Sequence, residues 1–170
     1  DFAGTEQTID AAVAELGGLH VIITTAGGGV AEKTFGKNGP HSLETFQNTI
    51  NLNLIASFNI SRLAAEHMSK NEPEDEERGV IINTASIAAF EGQIGQVAYT
   101  AAKAGIAGMC LTMARDLGPL GIRALAIAPS LFATGLTKGI PDEFATMLTK
   151  DAAFPKRLGR PEEFAKLVAA

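Results

Sequence analysis

Tyr99 and Lys103 stand four residues apart, and Ser86 precedes the tyrosine by thirteen. On a helix, positions i and i+4 share a face about 6 Å apart, so this spacing sets an ammonium beside a phenol. A phenol ordinarily titrates near pH ~10, and a neighbouring positive charge favours the phenolate. A tyrosine that exchanges a proton near neutral pH is a usable general acid or base. Tyr99 is also the single tyrosine of the chain.

The elements that must position these groups follow from hydrophobic periodicity. Ile9, Val13 and Leu16 recur at helical spacing and predict a helix over 6–16, ended by Gly17 and Gly18. Val21-Ile22-Ile23 is a β-branched run and predicts a buried strand, followed by a loop over 26–29. Residues 30–41 read as irregular, with turn signals at Gly36, Asn38, Gly39 and Pro40. Ser42, with Glu44 and Thr45 behind it, caps a long helix running to about Lys70. Residues 71–77 carry five acidic residues and a proline and read as a solvated loop. Val80-Ile81-Ile82 predicts a second strand that closes at Ser86. A helix follows over 96–117, then a third strand over 123–128 ended by Pro129. Two further helices are expected over 141–150 and 161–169, each with proline in its first turn.

Short apolar strands alternating with helices imply parallel strands joined by crossovers, hence an α/β doubly wound sheet of the Rossmann-like, three-layer αβα kind. Ligands of such sheets sit beyond the carboxyl ends of the strands. Gly27, Ser86 and Pro129 follow the three predicted strands, so the expectation is one crevice lined by all three, with Tyr99 and Lys103 facing it.

Composition narrows the function classes. Apolar residues make up 46% and charged residues 19% of the 170, as in ordinary globular chains, and this length fits one domain over 1–170. A net charge of −5 gives no basic patch for nucleic acid. No run of 18 or more apolar residues occurs, so no membrane partner is expected. Cys110 is the only cysteine, and His20, His41 and His67 lack metal-ligand spacing, so no metal site is expected. The cysteine count fits a reducing compartment, with the cytoplasm as the expected location and the mitochondrial matrix as the alternative.

The motifs then carry a resemblance. Ser86, Tyr99 and Lys103 at these spacings resemble the active site of the short-chain dehydrogenases/reductases. Thr25-Ala26-Gly27 occupies the place of that family's Asn-Asn-Ala-Gly turn, with Thr24 and Thr25 where it has asparagines. Asn53 matches the asparagine of its long central helix. Ala128-Pro129-Ser130 through Thr134 matches its Pro-Gly segment, with serine replacing the glycine. Within the family, the stretches 71–73, 78–86, 89–93, 114–119, 131–132 and 154–159 are similar to the branch that acts on 3-hydroxyacyl-CoA.

The resemblance implies an oxidoreductase moving a hydride between NAD(H), with NADP as the alternative, and the 3-hydroxy or 3-keto carbon of an acyl-CoA or similar secondary alcohol. By this carry-over Tyr99 is the general acid/base, Lys103 lowers its pKa and bonds the nicotinamide ribose, and Ser86 holds the substrate oxygen. Asn53 anchors a water that passes protons through Lys103. Cofactor contacts fall on Asp1, Phe2, Thr25, Ala26, Gly27, Tyr99, Lys103, Pro129, Phe132 and Thr134, and substrate contacts on Ser86, Gln93 and Gln96. The family's Gly-rich first turn, the strand after it and its C-terminal strand have no counterpart here, so the chain is expected to be the central and catalytic part of a longer protein.

Ala98, Ala101, Ala102, Ala104, Gly105, Ala107 and Gly108 make a small-sided helix. Such a face packs on the sheet, or, as the resemblance implies, on the same helix of another subunit in a homotetramer. Two other functions stay open: an NADPH-dependent 3-oxoacyl-carrier-protein reductase, and a non-catalytic fragment.

Overall fold

The computed structural model describes residues 2–137, 142–150 and 152–170; for residues 2, 3, 136, 142 and 144 it describes backbone alone. The chain forms two compact units, 1–128 and 129–170, each described by itself below.

The first unit begins with helix α1 (Phe2–Leu16), strand β1 (Val21–Thr24) and a two-residue hairpin, β2 (Phe35–Gly36) with β3 (Gly39–Pro40). Helix α2 (Leu43–Ile50) starts at Ser42, whose hydroxyl accepts the Thr45 N–H at 3.2 Å. A π-helical turn over Asn51–Ile55 joins α2 to α3 (Ala56–Met68). Strand β4 (Gly79–Thr84), helix α4 (Val97–Leu117) and strand β5 (Ile122–Ile127) complete the unit.

The sheet is parallel, in the order β1-β4-β5, as the sequence pattern predicts. Val21 pairs with Val80 and Val80 with Arg123; Ile23 pairs with Ile82 and Ile82 with Leu125. Successive strand residues face opposite sides. Ile22, Ile81 and Ala124 therefore share the other side, and there they meet Ile9 and Val13 of α1, Leu63, Ala64 and Met68 of α3 and Met113 of α4 in one core. All three helices lie on that face. On the opposite face Val21, Ile23 and Leu125 are 40–52% exposed, and among the described residues of the first unit no helix covers them. The central strand β4 is buried along its length, as a continuous apolar run in a parallel sheet should be.

The expected elements appear with ends shifted by a few residues, and the differences have physical causes. The long helix predicted from 42 to 70 contains the π turn, which apolar periodicity does not signal. Residues 30–41 are not wholly irregular, because Gly39 at φ 102° allows the tight hairpin reversal. The acidic 71–77 loop closes as a turn, with Asp75 and Glu76 at positive φ and a bridge between Glu74 and Glu77. By length and composition the window Val97–Leu120 is apolar enough to cross a membrane, with mean hydropathy 1.2, although it holds no long apolar run. Its alanines and glycines raise the average, and α4 lies against β5, β4 and α2.

In the second unit, residues 131–133 bridge to Gly159 through the Ala133 N–H to Gly159 O bond (2.8 Å) and the Gly159 N–H to Leu131 O bond (2.9 Å). Phe132 meets Phe164 edge to face at 5.9 Å. Helices α5 (Asp142–Thr149) and α6 (Pro161–Val168) match the two expected near the end, though Pro141 lies outside the described residues. Arg157 holds Glu163 in a two-pronged ion pair, and this bond, with the Arg160 N–H, lowers the Glu163 carboxyl to about 2.

Gly121 ends the turn before β5 at φ 69°, and a Cβ there would sit 2.5 Å from the Glu76 carbonyl oxygen. Left-handed backbone plus this contact predicts that Gly121→Ala lowers stability by about 2–3 kcal/mol, read as a lower urea midpoint with an unchanged slope.

Candidate active site

The site is built around a buried lysine. Lys103 lies in the second turn of α4, 3% exposed, beside the fully buried Ala102 and Ile106. Its Nζ donates to the carbonyl oxygen of Thr84, the last residue of β4, at 2.8 Å. The same Nζ lies 5.6 Å from the centre of the Tyr99 ring, so the i,i+4 spacing does bring cation and phenol together. Burial, which disfavours the charged form, lowers the Lys103 pKa from its ordinary 10.5.

The loop after β1 is drawn to this lysine by Asn53. The Asn53 amide donates to Gly28 O at 2.7 Å and to Thr49 O at 2.8 Å, and its oxygen accepts the Gly28 N–H at 3.1 Å. Asn53 lies in the π turn, and two of its bonds reach out to Gly28 while the third takes up a helix carbonyl four residues back. The loop is thereby pressed so close that a Cβ on Gly27 would lie 2.6 Å from Asn53 Oδ1 and 3.4 Å from Lys103 Nζ. One residue pair further along, a Cβ on Gly29 would lie 3.4 Å from Tyr99 Cδ2. Gly27, Asn53, Tyr99 and Lys103 thus form one cluster at the carboxyl ends of β1 and β4.

Ser86 is buried two residues beyond β4 and accepts the Ala88 N–H at 3.1 Å, capping a short 3₁₀ turn. Gln93 and Gln96 lie in the loop leading to α4 and bond one another, the Gln93 N–H donating to Gln96 Oε1 at 2.9 Å. Thr25 and Ala26 are exposed on the loop. Of the remaining expected cofactor residues, Asp1 lies outside the described residues, and Phe2 is described only as the backbone start of α1. Pro129, Phe132 and Thr134 belong to the second unit, where the Thr134 N–H donates to Phe132 O at 2.9 Å and to Thr137 Oγ1 at 2.9 Å.

Sequence reasoning passed over two supports. Thr49 presents its methyl group within 3.5 Å of the Gly29 position and its carbonyl to Asn53. Thr24 donates to Asn83 Oδ1 at 2.7 Å, and Asn83 bonds Ser61 at 3.1 Å, a buried polar network that locks β1, β4 and α3 in register. The polar residue inside the apolar run at Asn83 was the available signal, since a buried amide requires partners.

With this geometry in place, the comparisons are direct. Residues 1–144 match the family described as short chain dehydrogenase. The chain is 50% identical to the 3-hydroxyacyl-CoA dehydrogenase type-2 of Bos taurus, over 98% of this chain and 66% of that protein. It is 32% identical to a 3-oxoacyl-[acyl-carrier-protein] reductase of Thermotoga maritima, over 74% of this chain and 48% of that protein. A crystal structure of 3-hydroxyacyl-CoA dehydrogenase type-2 from Mycobacterium avium superposes with a TM-score of 0.91 at 40% identity, covering 96% of this chain and 66% of that one. The chain belongs to the short-chain dehydrogenase family. It spans 66% of the length of the type-2 relatives from cattle and from Mycobacterium avium.

Two outcomes follow from the cluster. Asn53→Leu removes the side-chain partner of both the Gly28 N–H and the Gly28 carbonyl, so stability falls by about 1–3 kcal/mol and the Gly28 amide exchanges with solvent about tenfold faster, read by hydrogen exchange. Because the folded lysine binds its proton less tightly than the unfolded one, the unfolded chain holds more protons in the interval below 10.5. Stability relative to Lys103→Met therefore rises with pH through that interval, measured as urea midpoints of both proteins across alkaline pH.

Proposed function

We propose that the full-length protein is an NAD(H)-dependent dehydrogenase that interconverts the 3-hydroxy and 3-keto forms of acyl-CoA thioesters. The observation that carries this is the Lys103 ammonium, buried against the Tyr99 ring and tied to the end of β4. The resemblance of motifs and the 50% identity to a 3-hydroxyacyl-CoA dehydrogenase type-2 support the substrate class. The residues present fit a nicotinamide cofactor: the loop at Gly27 has no room for a side chain, and a buried cation stands directly under it. When bound, the nicotinamide supplies or accepts the hydride.

The chain's own residues handle the proton. The phenol of Tyr99 gives a proton to the ketone oxygen, or takes one from the hydroxyl, with the Lys103 ammonium favouring the phenolate. Ser86 donates to the same oxygen as its charge changes. Lys103 also reaches the ribose of the cofactor, and Asn53 holds the loop that limits the cofactor's approach. Gln93 and Gln96 face the substrate. The family resemblance assigns further cofactor contacts to Thr25 and Ala26 and, in the second unit, to Pro129, Phe132 and Thr134.

The same reading takes the protein as a homotetramer. Leu43, Leu52, Ile55, Phe58 and Leu111 are 39–70% exposed along α2, the π turn, α3 and α4. Gly105 packs inside the chain, where a Cβ would lie 2.8 Å from Leu54, whereas Gly108 opens onto free space that suits a second copy. A reducing location, cytoplasm or mitochondrial matrix, fits the single cysteine.

The 32% identical carrier-protein reductase favours a second reading, an NADPH-dependent 3-oxoacyl-carrier-protein reductase. Assaying the full-length protein with both nucleotides and with CoA and carrier-protein thioesters separates them; turnover confined to NADPH and the carrier-protein thioester refutes the first reading. In the same assay Tyr99→Phe is expected to lower kcat by about 10²–10⁴-fold with its circular dichroism and NADH binding intact. Retained turnover refutes the assigned mechanism.

A further inference from the structure

Glu32 and His41 have no part in the proton transfer proposed above, yet they form a built polar clamp with Ser42 and Thr34. The His41 side chain is 9% exposed. Its Nδ1 lies 2.8 Å from the Ser42 carbonyl oxygen, which only accepts, so Nδ1 carries the hydrogen. Glu32 Oε2 is 3.6 Å from the same nitrogen, and Glu32 Oε1 accepts the Ser42 N–H at 2.8 Å. The His41 N–H donates to Thr34 O at 2.9 Å. His41 Nε2 is buried with no partner among the described residues, a cost that stability alone gives no reason to carry.

The clamp reaches the neighbourhood of the reacting residues through Glu32. Its backbone N–H donates to Gly95 O at 2.9 Å, and Gly95, at φ 85°, comes so near that a Cβ would lie 3.4 Å from Glu32 N. Gly92, on the same loop, packs on Thr100 closely enough that a Cβ would collide with its hydroxyl. Lys33, Thr34 and Gly92–Gly95, together with Val97 and Thr100, line an open cavity of about 510 Å³. Thr100 follows Tyr99 directly.

We infer that Glu32 and His41 are positioning residues that hold the 92–96 loop at a fixed distance from the 33–34 segment, so setting the width of the cavity that takes the acyl substituent beyond the reacting carbon. The inference rests on the dehydrogenase reading above. The pair touches no reacting atom, so it governs which chain lengths bind and leaves the chemical step alone.

The test compares short-chain and long-chain 3-hydroxyacyl-CoA on the full-length protein and four variants. Glu32→Ala and His41→Leu remove the clamp; Glu32→Gln keeps an acceptor for the Ser42 N–H, and His41→Asn keeps a donor for the Ser42 carbonyl. With the clamp removed, the ratio of long-chain to short-chain KM is expected to change by about tenfold while kcat stays within about twofold, and the conservative variants remain near wild type. In His41→Leu the Glu32 amide also exchanges about tenfold faster, a readout independent of turnover. An unchanged KM ratio, a parallel loss of kcat and KM, or conservative variants as impaired as the truncations overturns the clamp while the wild-type activity stands. A wild-type protein inactive on both thioesters overturns the dehydrogenase reading itself, and the clamp's role with it.

Discussion

An ammonium taken out of water must be met by something, because an unpaired buried charge is among the costliest features a fold can contain. Lys103 is met by the carbonyl of Thr84, whose position is fixed by the ladder joining β4 to β5. The strand must end there, and α4 must cross the sheet at the height that brings its second turn over that carbonyl. The small residues Ala98 and Ala102, at 2% and 0% exposure, let the helix approach closely enough to do so. Sheet register, helix height and lysine burial are therefore one constraint seen from three sides.

The same constraint reaches the other strands. The loop after β1 has to pass over the lysine, and only glycine at position 27 leaves room between the Asn53 amide and the ammonium. Asn53 reaches the loop from the π turn, while Thr24, Asn83 and Ser61 keep β1 level with β4. The Tyr99 and Lys103 pair is thus the visible end of a polar scaffold that runs through β1, β4, the π turn, α3 and α4.

Much of this was legible in the residues. The β-branched runs at 21–23 and 80–82 read as buried strands, and their alternation with helices required a parallel sheet; β4 is buried, whereas β1 stands at the edge with Val21 and Ile23 exposed, because burial depends on neighbours that the run itself does not encode. The four-residue spacing of Tyr99 and Lys103 foretold that cation and ring would meet, because i,i+4 geometry is a local property. What stayed hidden was non-local or backbone-encoded. A π turn alters hydrogen bonding without altering the apolar pattern, so residues 42–70 read as one helix. The Glu32 and His41 clamp joins segments that no periodicity relates to Gly95. The 35–40 hairpin is two residues a side, too short for any alternation to show.

The π turn also makes chain length itself part of the site. A helix advances by about 100° per residue, so losing any single residue between Asn51 and Ile55 would let the ordinary ladder close and swing the flanking segments by that angle. A loss at Leu52 would turn Asn53 itself by that angle relative to α2, away from Gly28, with every other side chain in the neighbourhood still the right type. Elsewhere on a helix surface an exchanged residue is usually forgiven; over these five positions the count matters more than the letters, and a sequence that kept the Ser, Tyr and Lys but dropped one residue here would look intact and be mis-assembled.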